Sequence, residues 1–220
     1  MNHSTGSSWC GAAAKAAIVN SSFGNRTCGV AAVGIVMLTA IAGIALSAEL
    51  VFNGDFELGP DSGWEVVRWG EFPDTGNSRL RYRHDFSPDR DFEVMIHKML
   101  HQGIKLQQRI EIPCLDLAFF VSCRLTSKTE RESLYAAAAI FLEYLNAQDS
   151  VLGETRIYSA TCGCDWRSSP RLHLLRAPDS LSWHSYQLNI RTELESLSAV
   201  VPDSVKAIRL GLLAFVQGNC

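Results

Sequence analysis

The chain has 220 residues, of which 47% are apolar and 20% are charged, a balance typical of a globular protein rather than a disordered one. All 23 acidic residues follow Ala48, whereas only Lys15 and Arg26 among the basic residues precede it, so residues 49–220 carry 18 basic residues and a net charge of −5. This acidic balance, without a Lys/Arg cluster, argues against nucleic acid as a partner.

Residues 1–48 have the composition of a leader. Residues 1–26 are polar, small and basic, and the run 29–46 is almost wholly apolar. Ala45-Leu46-Ser47 offers small residues at the −3 and −1 positions of a signal-peptide cleavage site, so we expect cleavage after Ser47 or Ala48. The alternative is an uncleaved membrane anchor, because the uncharged run 27–48 is long enough to span a bilayer. Either way, residues 49–220 are expected outside the cell membrane, secreted or held at the surface or in the periplasm.

Past the leader, the pattern predicts strands nearly throughout. Leu50-Val51-Phe52 is predicted as a short strand, followed by a turn at Asn53-Gly54. Alternating apolar and polar residues predict further strands at 64–71, 79–84, 92–100, 105–112, 117–125, 155–159, 183–190 and 205–215. A long irregular loop is predicted over 161–179, and one helical turn over 193–197. The residues expected inside are Leu106, Ile110, Phe119, Val121, Tyr186, Leu188, Ile208 and Leu210.

The segment 133–145 has two interpretations. Its four consecutive alanines and its flanking Glu and Leu residues favour a helix on intrinsic propensity. As a strand, the same segment would have two largely apolar faces, as expected of a strand at the centre of a two-layer structure. We predict a strand.

Two motifs open the exported part, Asn53-Gly54-Asp55-Phe56-Glu57 and, shortly after it, Gly63-Trp64. Together they resemble the opening of carbohydrate-binding modules with the galactose-binding-like jelly-roll fold. Residues 103–125 also resemble the Gly-x-x-Leu-x-Gln passage and following strand of these modules. The resemblance covers roughly residues 50–220 and puts a strand at 133–145. It implies an all-β fold, a two-sheet antiparallel β-sandwich, as one domain over 49–220.

The end of the chain departs from that family. Its members usually follow the strand at 205–215 with a closing strand that pairs with the opening one, and no counterpart is present before Cys220. Either the sequence is truncated, or the sandwich lacks its last strand and leaves an edge open.

The resemblance implies a non-catalytic extracellular domain that binds carbohydrate. Sugar rings stack on Trp and Tyr because one side of the ring is apolar while its hydroxyls need polar partners. The candidates are Trp69, Tyr82, Tyr144 and Trp166, each of which could instead be a core or rim aromatic. The alternative function is a structural or adhesive protein of the cell envelope that uses the same fold for protein contacts. No nucleophile elbow, phosphate loop or dinucleotide fingerprint is present, so we expect no enzyme.

The resemblance also implies a structural calcium ion. Glu57 matches the glutamate that usually binds it, and Asp55 lies close by as a lesser candidate. Calcium requires six to eight oxygen ligands, and the aspartate of the closing strand has no counterpart here, so we expect a weak or vestigial site.

Two further patterns have structural explanations. His97 and His101 would lie about 13 Å apart on a strand, at roughly 3.3 Å per residue, too far to share a metal ion. Cys162-Gly163-Cys164 is spaced too tightly for a zinc knuckle. The five cysteines after the leader are expected to be loop thiols or to form one disulfide, and their odd number leaves at least one unpaired.

Overall fold

The computed structural model describes residues 9–20, 49–70, 78–83, 93–99, 102–128, 134–161, 166–178 and 182–218. Within these ranges the chain is almost entirely β-structure, which confirms the all-β prediction. The strands are β1 (Trp9–Asn20), β2 (Glu65–Gly70), β3 (Ser78–Arg83), β4 (Glu93–Met99), β5 (Gln102–Glu111), β6 (Leu117–Lys128), β7 (Leu134–Leu145), β8 (Val151–Ala160), β9 (Leu172–Arg176), β10 (His184–Asn189) and β11 (Ala207–Gly218). One helix, α1 (Ile190–Ser196), and one 3₁₀ turn (Pro202–Ser204) accompany them in the described ranges. No helix in those ranges is both long enough and apolar enough to cross a bilayer.

The strands form two sheets. The order in the six-stranded sheet is β2-β5-β11-β7-β8-β9, and the order in the five-stranded sheet is β10-β6-β1-β4-β3. All of these pairs are antiparallel except β8 and β9, which run parallel. The prediction of purely antiparallel sheets is therefore wrong at this pair, and the predicted loop 161–179 contains a strand. A parallel neighbour needs a long return connection, and the chain between β8 and β9 provides it.

Buried side chains from both sheets belong to one apolar cluster. The alternation predicted for β5, β6 and β11 is confirmed, because alternate side chains of these strands are buried on the core side, nearly all of them in that cluster. Seven of the eight residues expected inside are buried: Leu106, Ile110, Phe119, Val121, Leu188, Ile208 and Leu210. Tyr186 is only half-buried, and it packs at the edge of the cluster.

The segment 134–145 is a strand, which settles its two interpretations. β7 lies between β11 and β8, and residues 136–145 are buried on both faces of the sheet. The helical propensity of its alanines is overridden by pairing on both sides, because an interior strand satisfies all of its backbone groups through its neighbours.

The opening segment is not a strand. Residues 51–64, here called the opening loop, form a series of turns, so the prediction of a strand at 50–52 is wrong. The side chain of Gln108 makes the backbone hydrogen bonds that a neighbouring strand would make if this segment were a strand. Its Oε1 accepts a hydrogen bond from the Phe52 N–H at 2.9 Å, and its Nε2 donates to the Phe52 and Gly63 carbonyl oxygens at 2.8 and 2.9 Å. One buried amide thus satisfies three backbone groups that would otherwise be unpaired.

Asn53 holds the opening loop together from within. It has a positive φ of 52°, which Asn tolerates better than most residues. Its side chain donates to the Gly59 carbonyl at 2.7 Å and accepts from the Leu58 N–H at 2.9 Å. The Trp64 indole donates to the Asn53 carbonyl at 3.0 Å and packs on Phe56 with ring centroids 5.0 Å apart. The motif residues therefore build this loop.

β1 lies within the stretch 1–48 that the sequence predicts to be a leader. It pairs with both β6 and β4, so the five-stranded sheet includes residues that precede the predicted cleavage site. The apolar run 29–46 lies outside the described residues. Cleavage, anchoring and the domain boundary at 49 stay predictions.

Replacement of Gln108 by Leu should destabilise the fold by about 2–4 kcal/mol, because the Phe52 and Gly63 backbone groups would lose their partners inside the protein. Urea unfolding measures this change. Gln107→Leu is the matched control, since Gln107 lies on the opposite face and its side chain donates to Glu65 at the exposed surface. The control should stay within about 0.5 kcal/mol of the native chain. Equal losses in the two variants would contradict the role given to Gln108.

Candidate ligand-binding face of the six-stranded sheet

The six-stranded sheet has a second face, opposite the shared core, here called the outer face. It carries the residues that alternate with the core residues of β5, β11, β7 and β8. The strand register brings them into rows across the sheet, one of which consists of Gln107, Gly211, Phe141 and Arg156. Residues far apart in sequence therefore lie side by side on this surface.

Aromatic rings cover one end of the outer face. The ring centroids of Trp166 and Tyr158 lie 5.6 Å apart, those of Trp166 and Phe215 lie 5.4 Å apart, and those of Tyr135 and Phe215 lie 5.6 Å apart. These contacts are in the range in which aromatic pairs stabilise each other. The guanidinium of Arg156 lies 4.4 Å from the centroid of the Trp166 ring, within reach of a cation–π interaction.

Trp69 extends this aromatic surface towards the edge strand β2. It pairs with Gly103 of β5, which in turn pairs with Phe215 of β11. The Trp69 ring lies directly over Gly103, where an added Cβ would come within 2.0 Å of it, so only glycine leaves room for the indole. Trp69 is 44% exposed. Two strand spacings, about 9.6 Å, separate its strand from that of Phe215.

Ion pairs cover the other end of the outer face. Lys105 Nζ lies 2.8 Å from Glu143 Oε1, and Arg209 Nη1 lies 2.6 Å from Glu143 Oε2. Burial alone would raise the pKa of Glu143, but the hydrogen bonds and charges of these two cations outweigh it and lower the pKa below its usual value. Arg156 pairs with Glu154, two residues away on the same strand, β8. Charged groups of both signs thus lie next to the aromatic surface.

The four predicted stacking residues are placed differently. Trp69 and Trp166 lie on the outer face. Tyr144 is completely buried on the core face, where its hydroxyl pairs with Thr155 Oγ1 at 3.0 Å, so its prediction as a ligand-binding residue is wrong. Tyr82 belongs to β3 of the other sheet, and its side chain lies outside the described residues, so its role stays a prediction.

Sequence reasoning missed Tyr135, Tyr158, Phe215 and Arg156. Their alternation with core residues was a signal that could have placed each of them on an outward face of its strand. It could not show that β11 lies between β5 and β7, and this strand order is what brings the four side chains together.

A buried polar chain links α1 to the edge of the six-stranded sheet. Thr155 Oγ1 donates to Glu193 Oε2 at 3.1 Å, and His173 Nδ1 lies 2.7 Å from the same oxygen. This is not a nucleophile–base arrangement, because the hydroxyl faces the carboxylate and not the imidazole. Tyr144 completes the chain through Thr155. Its members hold α1, β8 and β9 together.

The calcium prediction can be compared with the donors of the opening loop. Asp55 and Glu57 are exposed, and Asp55 Oδ1 accepts the Glu57 N–H at 3.2 Å. The Gly59 and Ser62 carbonyls accept hydrogen bonds from the Asn53 side chain, which reduces the oxygens free to bind an ion. In the described part of the chain, no three His, Cys, Asp or Glu side chains converge as metal ligands. These donors do not fit a tight calcium site.

Two cysteines of the described ranges are free thiols. Cys114 is exposed, whereas Cys123 is buried and its burial raises the pKa of its thiol to about 12. Neither the Cys162-Gly163-Cys164 sequence nor His101 lies in the described part, so the predictions made for them stay predictions.

No protein-family model matches the sequence, and no curated protein matches it. The resemblance to carbohydrate-binding modules therefore depends on the motif residues alone. The case for a function depends on those residues and on the geometry of the outer face.

Millimolar calcium should raise the melting temperature by about 1–2 °C or less, because the three carboxylates of the opening loop, Asp55, Glu57 and Asp61, are all exposed and do not converge on one ion. Glu57→Ala should remove whatever rise there is. Glu65 is an exposed carboxylate on β2, so Glu65→Ala should leave the rise unchanged. Differential scanning calorimetry with and without calcium measures the shift. A large rise that survives Glu57→Ala would place the ion elsewhere.

Glu143 should make stability depend on acid pH. Because its pKa is lowered on folding, its contribution is complete above the ordinary value of about 4.5 and is lost as the pH falls below that value. Glu143→Gln should therefore cost about 1–3 kcal/mol at pH 7, and the difference from the native chain should shrink between pH 4.5 and pH 3. Urea unfolding across this pH range gives both values. Glu65→Gln, at an exposed position, is the control, and a difference for Glu143→Gln that stays constant with pH would contradict the ion-pair assignment.

Proposed function

We propose that residues 49–220 form a non-catalytic extracellular binding domain that takes up carbohydrate on the outer face of the six-stranded sheet. The observation that carries this proposal is the row formed by Trp69, Gly103 and Phe215, continued by Trp166 and Tyr158. It gives an extended aromatic surface next to charged side chains. A sugar needs this combination, because its C–H side is apolar and its hydroxyls need hydrogen-bond partners.

The side chains of this surface are positioned before any ligand arrives. Trp166 contacts the Arg156 guanidinium and the rings of Tyr158 and Phe215. The carboxylate of Glu143 is held by two cations. Groups that are already ordered lose little conformational freedom on binding, which favours affinity for a ligand with many weak contacts.

The proposal includes a β-sandwich of the jelly-roll, galactose-binding-like type. Two sheets that share one apolar cluster support it, together with the opening motif and its Gly-Trp continuation. It also includes export, so the domain acts as a secreted, periplasmic or surface protein that reaches the membrane only through residues 1–48 if these are not cleaved. The leader composition supports this placement.

A structural or adhesive role in the cell envelope is the second candidate function. The observation that favours it is the exposure of two large apolar side chains in the opening loop, Phe52 at 57% and Leu58 at 64%. Such side chains on a rigid loop are suited to contact with another protein.

The carbohydrate proposal predicts that Trp69→Ala weakens binding by about tenfold or more, since a stacked ring contributes about 1–2 kcal/mol. Affinity electrophoresis in gels containing xylan, mannan, galactan or mixed-linkage β-glucan, together with a glycan array, first identifies the ligand for the native chain. Trp166→Ala should weaken the binding of the same ligand. Trp183→Ala is the control, because Trp183 precedes β10 of the other sheet and packs beside Arg124.

Circular dichroism establishes that each variant remains folded. Binding that is lost only in the Trp69 and Trp166 variants supports the outer face. Equal loss in the Trp183 variant, or no glycan binding by the native chain, would overturn the proposal, and capture of an envelope protein would then favour the second candidate.

A further inference from the structure

The position of β1 in the five-stranded sheet is unusual for a segment so distant from the rest of the fold in sequence. β1 pairs with β6 over its whole length, from Trp9 opposite Lys128 to Asn20 opposite Leu117. On its other side it pairs with β4, from Trp9 opposite Met99 as far as the sixth residue of β1. It also lies against β7 and β11 across the core. Without β1, the sheet would have two unpaired edges facing each other in its interior.

The composition of β1 shows what holds it there. Of its twelve residues, five are alanine and one is glycine, residue types that are depleted in strands. Its place therefore depends on backbone hydrogen bonds to two neighbours more than on the strand propensity of its side chains. A strand position that is held mainly by backbone hydrogen bonds can accept other extended segments that are rich in small residues.

The walls of this position are suited to hold such a segment. Val121, Cys123 and Leu125 of β6 and Val94 and Ile96 of β4 are all buried, so the core-facing side chains next to β1 are apolar on both sides. The two flanking strands offer their backbone donors and acceptors along it. An unpaired edge strand is a template for another strand, and here two such edges lie on either side of one position next to these apolar side chains.

Residues 21–48 are the only covalent link between β1 and Glu49, and the predicted cleavage after Ser47 or Ala48 would cut it. We propose that the space between β4 and β6 is a strand-acceptor groove. In the intact chain residues 9–20 occupy it, and after removal of residues 1–48 it binds an extended, alanine-rich segment of a partner polypeptide, antiparallel to both strands. This proposal does not depend on carbohydrate binding.

The link also controls when the groove is accessible. Because it is covalent, this connection keeps the chain's own segment near the groove at an effective concentration on the order of a millimolar. A free peptide at micromolar concentration cannot compete with it. The groove therefore becomes available to a partner only when the link is cut.

The test uses the full chain with a specific protease site inserted between Ala48 and Glu49. The probe is a fluorescent peptide with the sequence of residues 9–20, followed by anisotropy, with native mass spectrometry for stoichiometry. We expect one peptide per cut protein, and binding to the uncut protein weaker by about 100-fold or more.

Two proline variants of the peptide make the test specific for a strand. Ala14 lies opposite Cys123 of β6 and Val94 of β4, so Ala14→Pro removes an interior backbone donor and should weaken binding by about tenfold or more. Trp9→Pro changes the first residue of the strand, where proline is tolerated, and should bind nearly as well as the unmodified peptide. Equal binding of the two variants, or equal binding to cut and uncut protein, would overturn the proposal.

If the cut protein does not stay folded, hydrogen exchange on the uncut chain tests whether β1 can leave the groove while the rest of the sheet stays intact. The substitution Ala14→Pro in the whole chain should speed exchange about 100-fold at the alternate amides of β6 that face β1, and leave those that face β10 protected. Trp9→Pro should change neither set. Unchanged exchange in the Ala14→Pro chain, or loss of protection throughout β6 in both chains, would show that β1 is not a separable occupant.

Discussion

The six-stranded sheet has two faces, but the five-stranded sheet can cover only one of them. Within the described residues, the outer face is covered by side chains of the sheet itself and by Trp166, and this cover shapes the surface on which the proposed function depends. β7 shows this most clearly, because residues 136–145 are buried on both faces although the other sheet of the described strands lies on the core side alone. Aromatic rings and the stems of charged side chains cover the strand on that side. The surface that results is aromatic and ionic together.

Small residues beneath this cover let it lie close to the backbone. Ala139 is completely buried under the aromatic cluster, and Gly103 makes room for the Trp69 ring. Gly211 lies at the middle of the face, where an added Cβ would come within 2.0 Å of the Leu106 carbonyl oxygen, so β5 and β11 approach each other closely there. Larger residues at these positions would move the rings outward and break up the surface. The alanines of β7 that favour a helix locally are thus used to support this layer.

Much of the fold could be predicted from the sequence because strand alternation is a local signal. It located most strands and the inward face of β5, β6 and β11. It failed where the decisive interactions come from distant residues. Leu50-Val51-Phe52 looks like a strand, but Gln108 satisfies the Phe52 backbone and holds the segment in a turn. β1 has too few strand-forming residues to be recognised without its neighbours. For the candidate site, the sequence suggested Trp69 and Trp166, but alternation alone could not give the strand order that brings them near Phe215.

The opening motif and the outer face carry different information. Asn53, Phe56 and Trp64 contact one another, and Gln108 of β5 binds the loop that they form through hydrogen bonds. Each of these residues thus meets a structural need of the loop, such as a backbone partner or a packed ring. None of these side chains lies on the outer face. In the proposed function, ligand preference comes from the cross-strand rows of the six-stranded sheet, where side chains can vary without loss of the loop. The motif residues therefore account for the loop, and the case for a ligand has to be made from the outer face instead.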